Sequence, residues 1–136
     1  GEAEPTTNIQ QLQDCSNVAL VGSVPYEKLP DWLSHADVAL LPLLMNDYTK
    51  NMFPMKFFEY LAAGIPVVAS AIPSLIPFSN AALLVESDED DLEKAINLAL
   101  SGHGPSQPER LSLAYRHTYI QRTKSMLSIL EDCGLI

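Results

Sequence analysis

The chain has 136 residues, of which 47% are hydrophobic and 18% are charged, and its formal net charge is −9. This length and composition predict one globular domain with a single core and exclude a disordered chain. The acidic balance argues against nucleic acid and anionic membranes as partners, because both bind basic protein surfaces.

The first half of the chain alternates apolar runs with amphipathic segments. Within a polar opening stretch, residues 9–15 predict a short helix, and the run N-V-A-L-V-G at 17–22 predicts a buried strand. Residues 26–36 predict a helix, because their apolar side chains recur at steps of three and four. Residues 37–44 predict a second buried strand, which is followed by a polar loop at 45–51.

The next segment carries residues that typically mark helix boundaries. Pro54 suits a first helical turn, where the missing amide would have no helical partner, and Gly64 suits the position just after the last turn. A helix is therefore expected over 54–63. The apolar run I-P-V-V-A at 65–69 predicts a third buried strand.

The last third of the chain repeats the pattern. Residues 81–85 predict a fourth strand, and Ser87 or Asp88 is expected to cap a helix over 91–100. After a turn rich in glycine and proline, a single long helix is expected over 109–133.

Buried strands alternating with helices predict an α/β fold, a Rossmann-like parallel sheet with helices on both faces. Ligands of such sheets bind at the carboxyl ends of the strands. This rule selects two loops, 22–26 and 43–55, as candidate binding loops.

The cysteines and histidines indicate no metal chemistry. Cys15 and Cys133 match no metal-ligand spacing, and two cysteines are too few for a disulfide-built fold. We therefore expect reduced thiols in a cytoplasmic protein. No segment has the pattern of a signal peptide or a membrane span.

Two stretches carry a family resemblance. They read A-D-V-A-L-L-P-L at 36–43 and N-M-F-P-M-K-F-F-E-Y-L-A-A-G-I-P-V-V-A-S at 51–70. They resemble the C-terminal, donor-binding domain of retaining glycosyltransferases with the two-domain GT-B architecture, of the group 1, family 4 type. The resemblance covers residues 17–100, and it implies a partial nucleotide-sugar-binding domain over residues 1–136.

The start of the helix at Pro54 has the chemistry of an anion site, independently of the resemblance. The amides of Met55 and Lys56 have no helical acceptor and carry the positive end of the helix dipole. Lys56 adds a cation in the first turn, which favours a nearby anion such as a diphosphate. Glu59 lies at i+3 from Lys56, and its carboxylate can accept hydrogen bonds from two adjacent ribose hydroxyls.

The resemblance implies the same roles. Glu59 matches the glutamate that binds the nucleotide's ribose in the family, and Phe53 matches a family phenylalanine. Asn51 stands in place of a glutamate that helps to hold the diphosphate and sugar, and Pro54 stands in place of a glycine, as in a branch of the family with a P-X-K-X-X-E-Y-L-A-X-G run. The donor diphosphate and sugar are thus assigned to Asn51, Phe53, Met55 and Lys56.

The resemblance also implies the other ligands and partners. Ser23, Val24 and Pro25 lie in the loop that holds the nucleobase in the family. The expected substrate is a UDP- or GDP-sugar, whose hexose is transferred with retention to a glycan, lipid or other acceptor, and no metal or other cofactor is expected.

Parts of the family's catalytic machinery are expected to lie outside this chain. These are a loop with an arginine and a lysine, which would stabilise the leaving diphosphate, and an N-terminal acceptor-binding domain. We therefore expect an inactive fragment, with a homodimer through exposed sheet edges as a further expectation. The full-length enzyme is expected in the cytoplasm, with a peripheral place at the inner membrane face left open.

Other interpretations remain open from the sequence. The chain could be a non-catalytic α/β interaction module of GT-B-like fold, or part of a GT-B-like epimerase or phosphorylase. Individual residues have structural alternatives as well. Glu59 could be only a polar residue on a helix whose other positions are core, and Lys56 a solvated lysine. Phe53 could be a packing residue, and residues 23–25 an ordinary turn.

Overall fold

The computed structural model describes residues 8–86 and 89–135. The helix cap predicted at Ser87 or Asp88 and the start of the polar opening stretch lie outside these residues. The chain divides into two compact units, Gly1–Trp32 and Leu33–Ile136. The second unit contains the α/β fold that the sequence predicts.

The first unit has little regular structure. Helix α1 spans Gln10–Gln13, and a 3₁₀ helix at Tyr26–Lys28 runs into helix α2 at Leu29–Leu33, where a longer helix was predicted. The strand predicted at 17–22 is wrong, because this segment has no strand hydrogen bonding. Its side chains Val18, Leu20 and Val21 are exposed. A run of β-branched residues becomes a strand only when a neighbour pairs with it, and the described residues of this unit contain no other strand.

The second unit is built on a three-stranded parallel sheet. Strand β1 spans Ala39–Leu41, β2 spans Val67–Ser70 and β3 spans Leu83–Val85, and the strands lie side by side in that order. β1 is shorter than the predicted strand at 37–44. Pro42 follows it directly and has no amide to donate to a neighbouring strand.

Helices cover both faces of the sheet. Alternate residues of β2 point to opposite sides, so that Val67 and Ala69 join one apolar cluster and Val68 joins another. The first cluster includes Phe57 and Leu113, and the second is completed by residues of a helix at Glu89–Leu100. The prediction of a Rossmann-like parallel sheet with helices on both faces is confirmed.

The segment between β1 and β2 contains two helices. Helix α3 spans Asp47–Asn51, inside the stretch that was predicted as a polar loop. Helix α4 spans Lys56–Ala62 and ends as predicted at Gly64. Gly64 has a φ of 75°, and the amide of Ile65 donates to the carbonyl of Tyr60, which is the Schellman arrangement that glycine makes possible.

The remaining helices follow β2 and β3. A 3₁₀ helix at Ile76–Phe78 precedes β3, and helix α5 is Glu89–Leu100. The single helix predicted over 109–133 is wrong, because two helices occupy this region, α6 at Gln107–Arg116 and α7 at Tyr119–Asp132. The break falls at Thr118, whose backbone is extended and whose hydroxyl accepts from the amide of Gln121 as the N-cap of α7.

Candidate functional site

Two serines hold the connection between β1 and β2 at the carboxyl edge of the sheet. The Ser70 hydroxyl, at the end of β2, accepts from the amide of Leu43 at 2.8 Å. The Ser74 hydroxyl, in the loop after β2, donates to the carbonyl of Met52 at 2.7 Å. Residues 42–55 are thus tied to the edge at which parallel α/β sheets bind their ligands.

Helix α3 is fixed within this connection by its own first turn. The Asn46 side chain accepts from the amide of Thr49, and the Thr49 hydroxyl accepts in return from the amide of Asn46. Thr49 is buried, and its hydroxyl also donates to the carbonyl of Leu44 at 2.6 Å. A short helix made mainly of polar residues is stable here because its capping bonds are complete.

Asn51 is the last residue of α3 and is exposed. Its side-chain amide donates to the carbonyl of Asp47 at 2.9 Å, while the Asp47 carboxylate forms an exposed ion pair with Lys50 at 3.3 Å. The oxygen of the Asn51 side chain can still accept a hydrogen bond, so this residue is suited to contact a sugar hydroxyl.

Helix α4 presents a polar stripe on one face and core residues on the other. Phe57 and Leu61 are fully buried, whereas Met55, Lys56 and Glu59 are exposed. No side chain caps the helix at Met55, where a ligand oxygen could take that place. Because α4 has only seven residues, its attraction for an anion depends on its first amides and Lys56 rather than on a long helix dipole.

Lys56 and Glu59, the charged residues of this stripe, form no ion pair within the described part of the chain. There, the ion pairs are Lys50 with Asp47 and Lys94 with Asp91, and neither involves Lys56 or Glu59. Glu59 nevertheless acts on its neighbour, because burial first and the Glu59 carboxylate second raise the pKa of the Tyr60 hydroxyl. The higher pKa favours the protonated hydroxyl, which can donate a hydrogen bond.

Phe53 belongs to an aromatic cluster that packs on the core side of α4. Its ring stacks on Phe58, with centroids 5.2 Å apart, and meets the edges of Phe57 and Phe78. The side chain is half-buried. Phe53 thus fixes the loop in front of α4, and only its exposed part is available to a ligand.

The predicted nucleobase loop belongs to the first unit. Ser23 and Pro25 are exposed, Val24 is partly buried, and all three precede the 3₁₀ helix at Tyr26–Lys28. Within the second unit, the predicted site residues lie on one stretch of chain, 51–59, that begins in α3 and ends in α4.

A shallow groove lies elsewhere in the second unit. It has a volume of about 310 Å³ and is lined by α6 and the residues before β3, including Asn80, Glu109 and Arg116. None of the predicted site residues lines it.

Across residues 8–86 and 89–135, no cluster of three or more histidine, cysteine or acidic side chains could hold a metal ion. Within the same residues, every helix is too short or too polar to cross a bilayer.

Sequence reasoning did not find Ser70, Ser74 or Arg110. Arg110 is buried, its Nε and Nη2 atoms donate to the carbonyl of Gly64 at 3.1 and 2.6 Å, and Nη1 donates to the carbonyl of Pro105. Burial lowers the pKa of Arg110, but a guanidinium stays charged. The only sequence signal was its place on the apolar side of α6, since the partners of all three residues are backbone groups.

Comparison with protein families identifies the family of this chain. The family model for the group 1 glycosyl transferases matches residues 1–111, most of the chain. The chain belongs to this family. No solved structure gives a significant match.

Two curated relatives support the assignment to the group 1 glycosyl transferases. A Bacillus subtilis (strain 168) protein with the provisional name teichuronic acid biosynthesis glycosyltransferase TuaH is 34% identical over 67 residues, which is 49% of this chain and 17% of the relative. The amylovoran biosynthesis glycosyltransferase AmsK of Erwinia amylovora is 37% identical over 94 residues, 66% of this chain and 23% of the relative. The matched part of the chain thus spans less than a quarter of each relative.

Proposed function

We propose that this chain forms the donor-binding part of a retaining GT-B glycosyltransferase that uses a UDP- or GDP-hexose. The observation that carries the proposal is the exposed stripe of Lys56 and Glu59 on α4, directly after a connection tied to the carboxyl edge of the sheet. Membership of the group 1 family supports the same reading.

Each residue of the stripe has a defined task in this proposal. The Glu59 carboxylate accepts hydrogen bonds from the two ribose hydroxyls, which is why it needs to be exposed and free of an ion pair. Lys56 and the amides of Met55 and Lys56 bind the diphosphate. Asn51 contacts the sugar, Phe53 supports the loop, and residues 23–25 bind the nucleobase.

Lys56 and the first amides of α4 are enough to bind a nucleotide-sugar but too few for the chain alone to catalyse its transfer. Departure of a nucleoside diphosphate develops negative charge, which enzymes stabilise with several convergent donors and cations. In the described site, Lys56 is the one cation on the exposed face of α4. We propose that the acceptor and further cations come from the rest of a cytoplasmic enzyme, with no metal or other cofactor required.

Calorimetric titration of the chain with UDP and GDP tests this proposal. One of the two nucleotides should bind, and Glu59→Gln should weaken that binding about tenfold or more, because hydrogen bonds to a charged group contribute about 1.5–3 kcal/mol. Glu93→Gln is the matched control, since Glu93 is an exposed glutamate on α5.

Two outcomes would overturn the proposal. Equal losses in both variants would show that Glu59 has no specific role. Failure to bind either nucleotide would favour a non-catalytic interaction module of the same fold.

A further inference from the structure

The shallow groove between α6 and the start of β3, which we call the α6 groove, lies at the opposite edge of the sheet from the candidate donor site. Asn80 and Ala81 line it just before β3 begins. The connection at 42–55 is tied instead to the carboxyl end of β2 through Ser70. Because the three strands are parallel, these places are at opposite edges of the sheet. A molecule in the α6 groove would leave the donor site free.

One face of α6 supplies most of the polar side chains of the groove. Glu109, Ser112 and Arg116 follow one another at steps of three and four residues, so they lie on the same face of the helix. Asn80 adds a side-chain amide. Within the described part of the chain, the side chains of Asn80, Ser112 and Arg116 form no hydrogen bond or ion pair. All three can therefore donate to a ligand.

Apolar residues and a small volume complete the groove. Leu113 and Ala81 line it and are buried, so they present an apolar surface in a fixed position, and Pro108 extends that surface. The volume of about 310 Å³ lies at the lower end of the range for ligand pockets. A single sugar ring, with one face of C–H groups and hydroxyls at its edge, matches this size and lining.

The two charges of the groove restrict the ligand further. The hydroxyl and then the amide of Ser106, both 2.7 Å from one Glu109 oxygen, lower the pKa of the Glu109 carboxyl. The ionised carboxylate can only accept hydrogen bonds, and the hydroxyls of a ligand can donate them. The planar guanidinium of Arg116 matches a carboxylate through two parallel hydrogen bonds.

We propose that the α6 groove binds an acidic sugar, a pyranose with one carboxylate. Arg116 binds the carboxylate together with Ser112 and Asn80, and Glu109 accepts from the ring hydroxyls. A phosphate dianion fits less well, because its second charge would be repelled by Glu109 with only one guanidinium to balance it. The acidic sugar is a free monosaccharide or one unit of a longer glycan, since a shallow groove does not enclose its ligand.

Calorimetric titration of the 136-residue chain with four small molecules tests the chemistry of the ligand. Galacturonate should bind. Galactose, acetate and inorganic phosphate should each bind about fivefold more weakly or worse, because galactose lacks the charge and the two anions lack the ring and its hydroxyls. A chain that does not bind galacturonate, or that binds any of the other three as tightly, would overturn the proposal.

Trigalacturonate distinguishes the two sources of the acidic sugar. Tighter binding than that of galacturonate would assign the groove to a glycan unit, and equal binding would assign it to the free sugar acid. Exclusion of both molecules would contradict an acidic-sugar site.

Arg116→Gln and Arg122→Gln are the matched variants. Arg116 lines the groove, whereas Arg122 is an exposed arginine of α7 outside it. Arg116→Gln should weaken galacturonate binding about fivefold or more, and Arg122→Gln should leave it unchanged. Ser112→Tyr, at an exposed position, should fill the groove and abolish binding while circular dichroism shows the same helix content. Equal affinities in the two arginine variants would remove the sugar from this groove.

His117 reports on the occupancy of Arg116 without reference to the donor site. Burial first, and then Arg122 and Arg116, lower the pKa of His117. A carboxylate bound to Arg116 offsets part of that effect, so galacturonate should raise the pKa of His117 in an NMR titration and galactose should not. An unchanged pKa of His117 at saturating galacturonate would show that the sugar binds elsewhere.

Discussion

The imidazole of His117 stacks on the ring of Phe58, with ring centroids 4.7 Å apart and planes inclined by 11°. Phe58 stacks in turn on Phe53, so three rings connect the junction of α6 and α7 with the loop in front of α4. The candidate site is therefore supported from the core by a histidine, a side chain whose charge can change with pH.

His117 should make the fold less stable in mild acid. Burial first, and then Arg122 and Arg116, lower the pKa of His117 below its ordinary value. The unfolded chain then binds a proton more readily than the folded chain, so stability falls as pH decreases through about 6.5. Urea unfolding between pH 7.5 and 5.5 measures the loss. His117→Phe, which keeps the ring stack, should reduce the slope, and His103→Asn, at an exposed histidine, should not.

Arg110→Met should destabilise the chain by about 2 kcal/mol, because the carbonyls of Gly64 and Pro105 lose their donor inside the fold. Arg110→Lys should recover only part of the loss, since an ammonium cannot reproduce the guanidinium fork. Urea unfolding measures both changes. Arg116→Met, at an exposed arginine on the same helix, is the control, and an equal effect there would show that the buried bonds contribute nothing.

Gly64→Ala should lower the free energy of unfolding more than Gly102→Ala does. Both glycines have a positive φ, 75° and 77°, which costs about 1–2 kcal/mol for alanine. A Cβ at Gly64 would also lie 2.7 Å from Nε2 of Gln107, whereas a Cβ at Gly102 would meet nothing within 4 Å. Thermal unfolding of the two variants compares these costs directly. Adding Gln107→Ala should bring the Gly64 variant close to the Gly102 variant, and no change on that addition would refute the contact.

Lys56→Gln should weaken binding of the nucleoside diphosphate about two- to fivefold, in keeping with an exposed charge contact. The loss should be largest at low ionic strength, because salt screens exposed charges. Calorimetric titration at about 20 and about 300 mM salt, between which the Debye length falls from roughly 20 Å to roughly 6 Å, measures both effects. Lys94→Gln on α5 is the control, and an identical response of the two variants would remove Lys56 from the site.

Much of the sheet and its flanking helices could be predicted, because their signals are local. The apolar run at Val67–Ser70 and the glycine after α4 each act within a few residues. The strand predicted at 17–22 failed because pairing requires a second strand. The break at Thr118 was missed because apolar residues continue on both sides of it, and a single N-cap threonine decided the outcome.

The placement of the candidate site residues on α4 was predictable for the same reason. Helical spacing is sufficient to place Lys56 and Glu59 on one exposed face, as the structure does. The anchoring of the connection by Ser70 and Ser74 could not be predicted, because both hydroxyls bind backbone atoms more than twenty residues away. No periodic pattern in the sequence predicts such contacts.

The two serine anchors have a consequence for how this surface can evolve. They fix the connection at Leu43 and Met52, while the stretch between these points depends on its own capping bonds. Insertions or substitutions in that stretch can therefore reshape the surface in front of α4 without displacing the helix. Members of the family can vary this short segment while the sheet and helices that hold it stay constant.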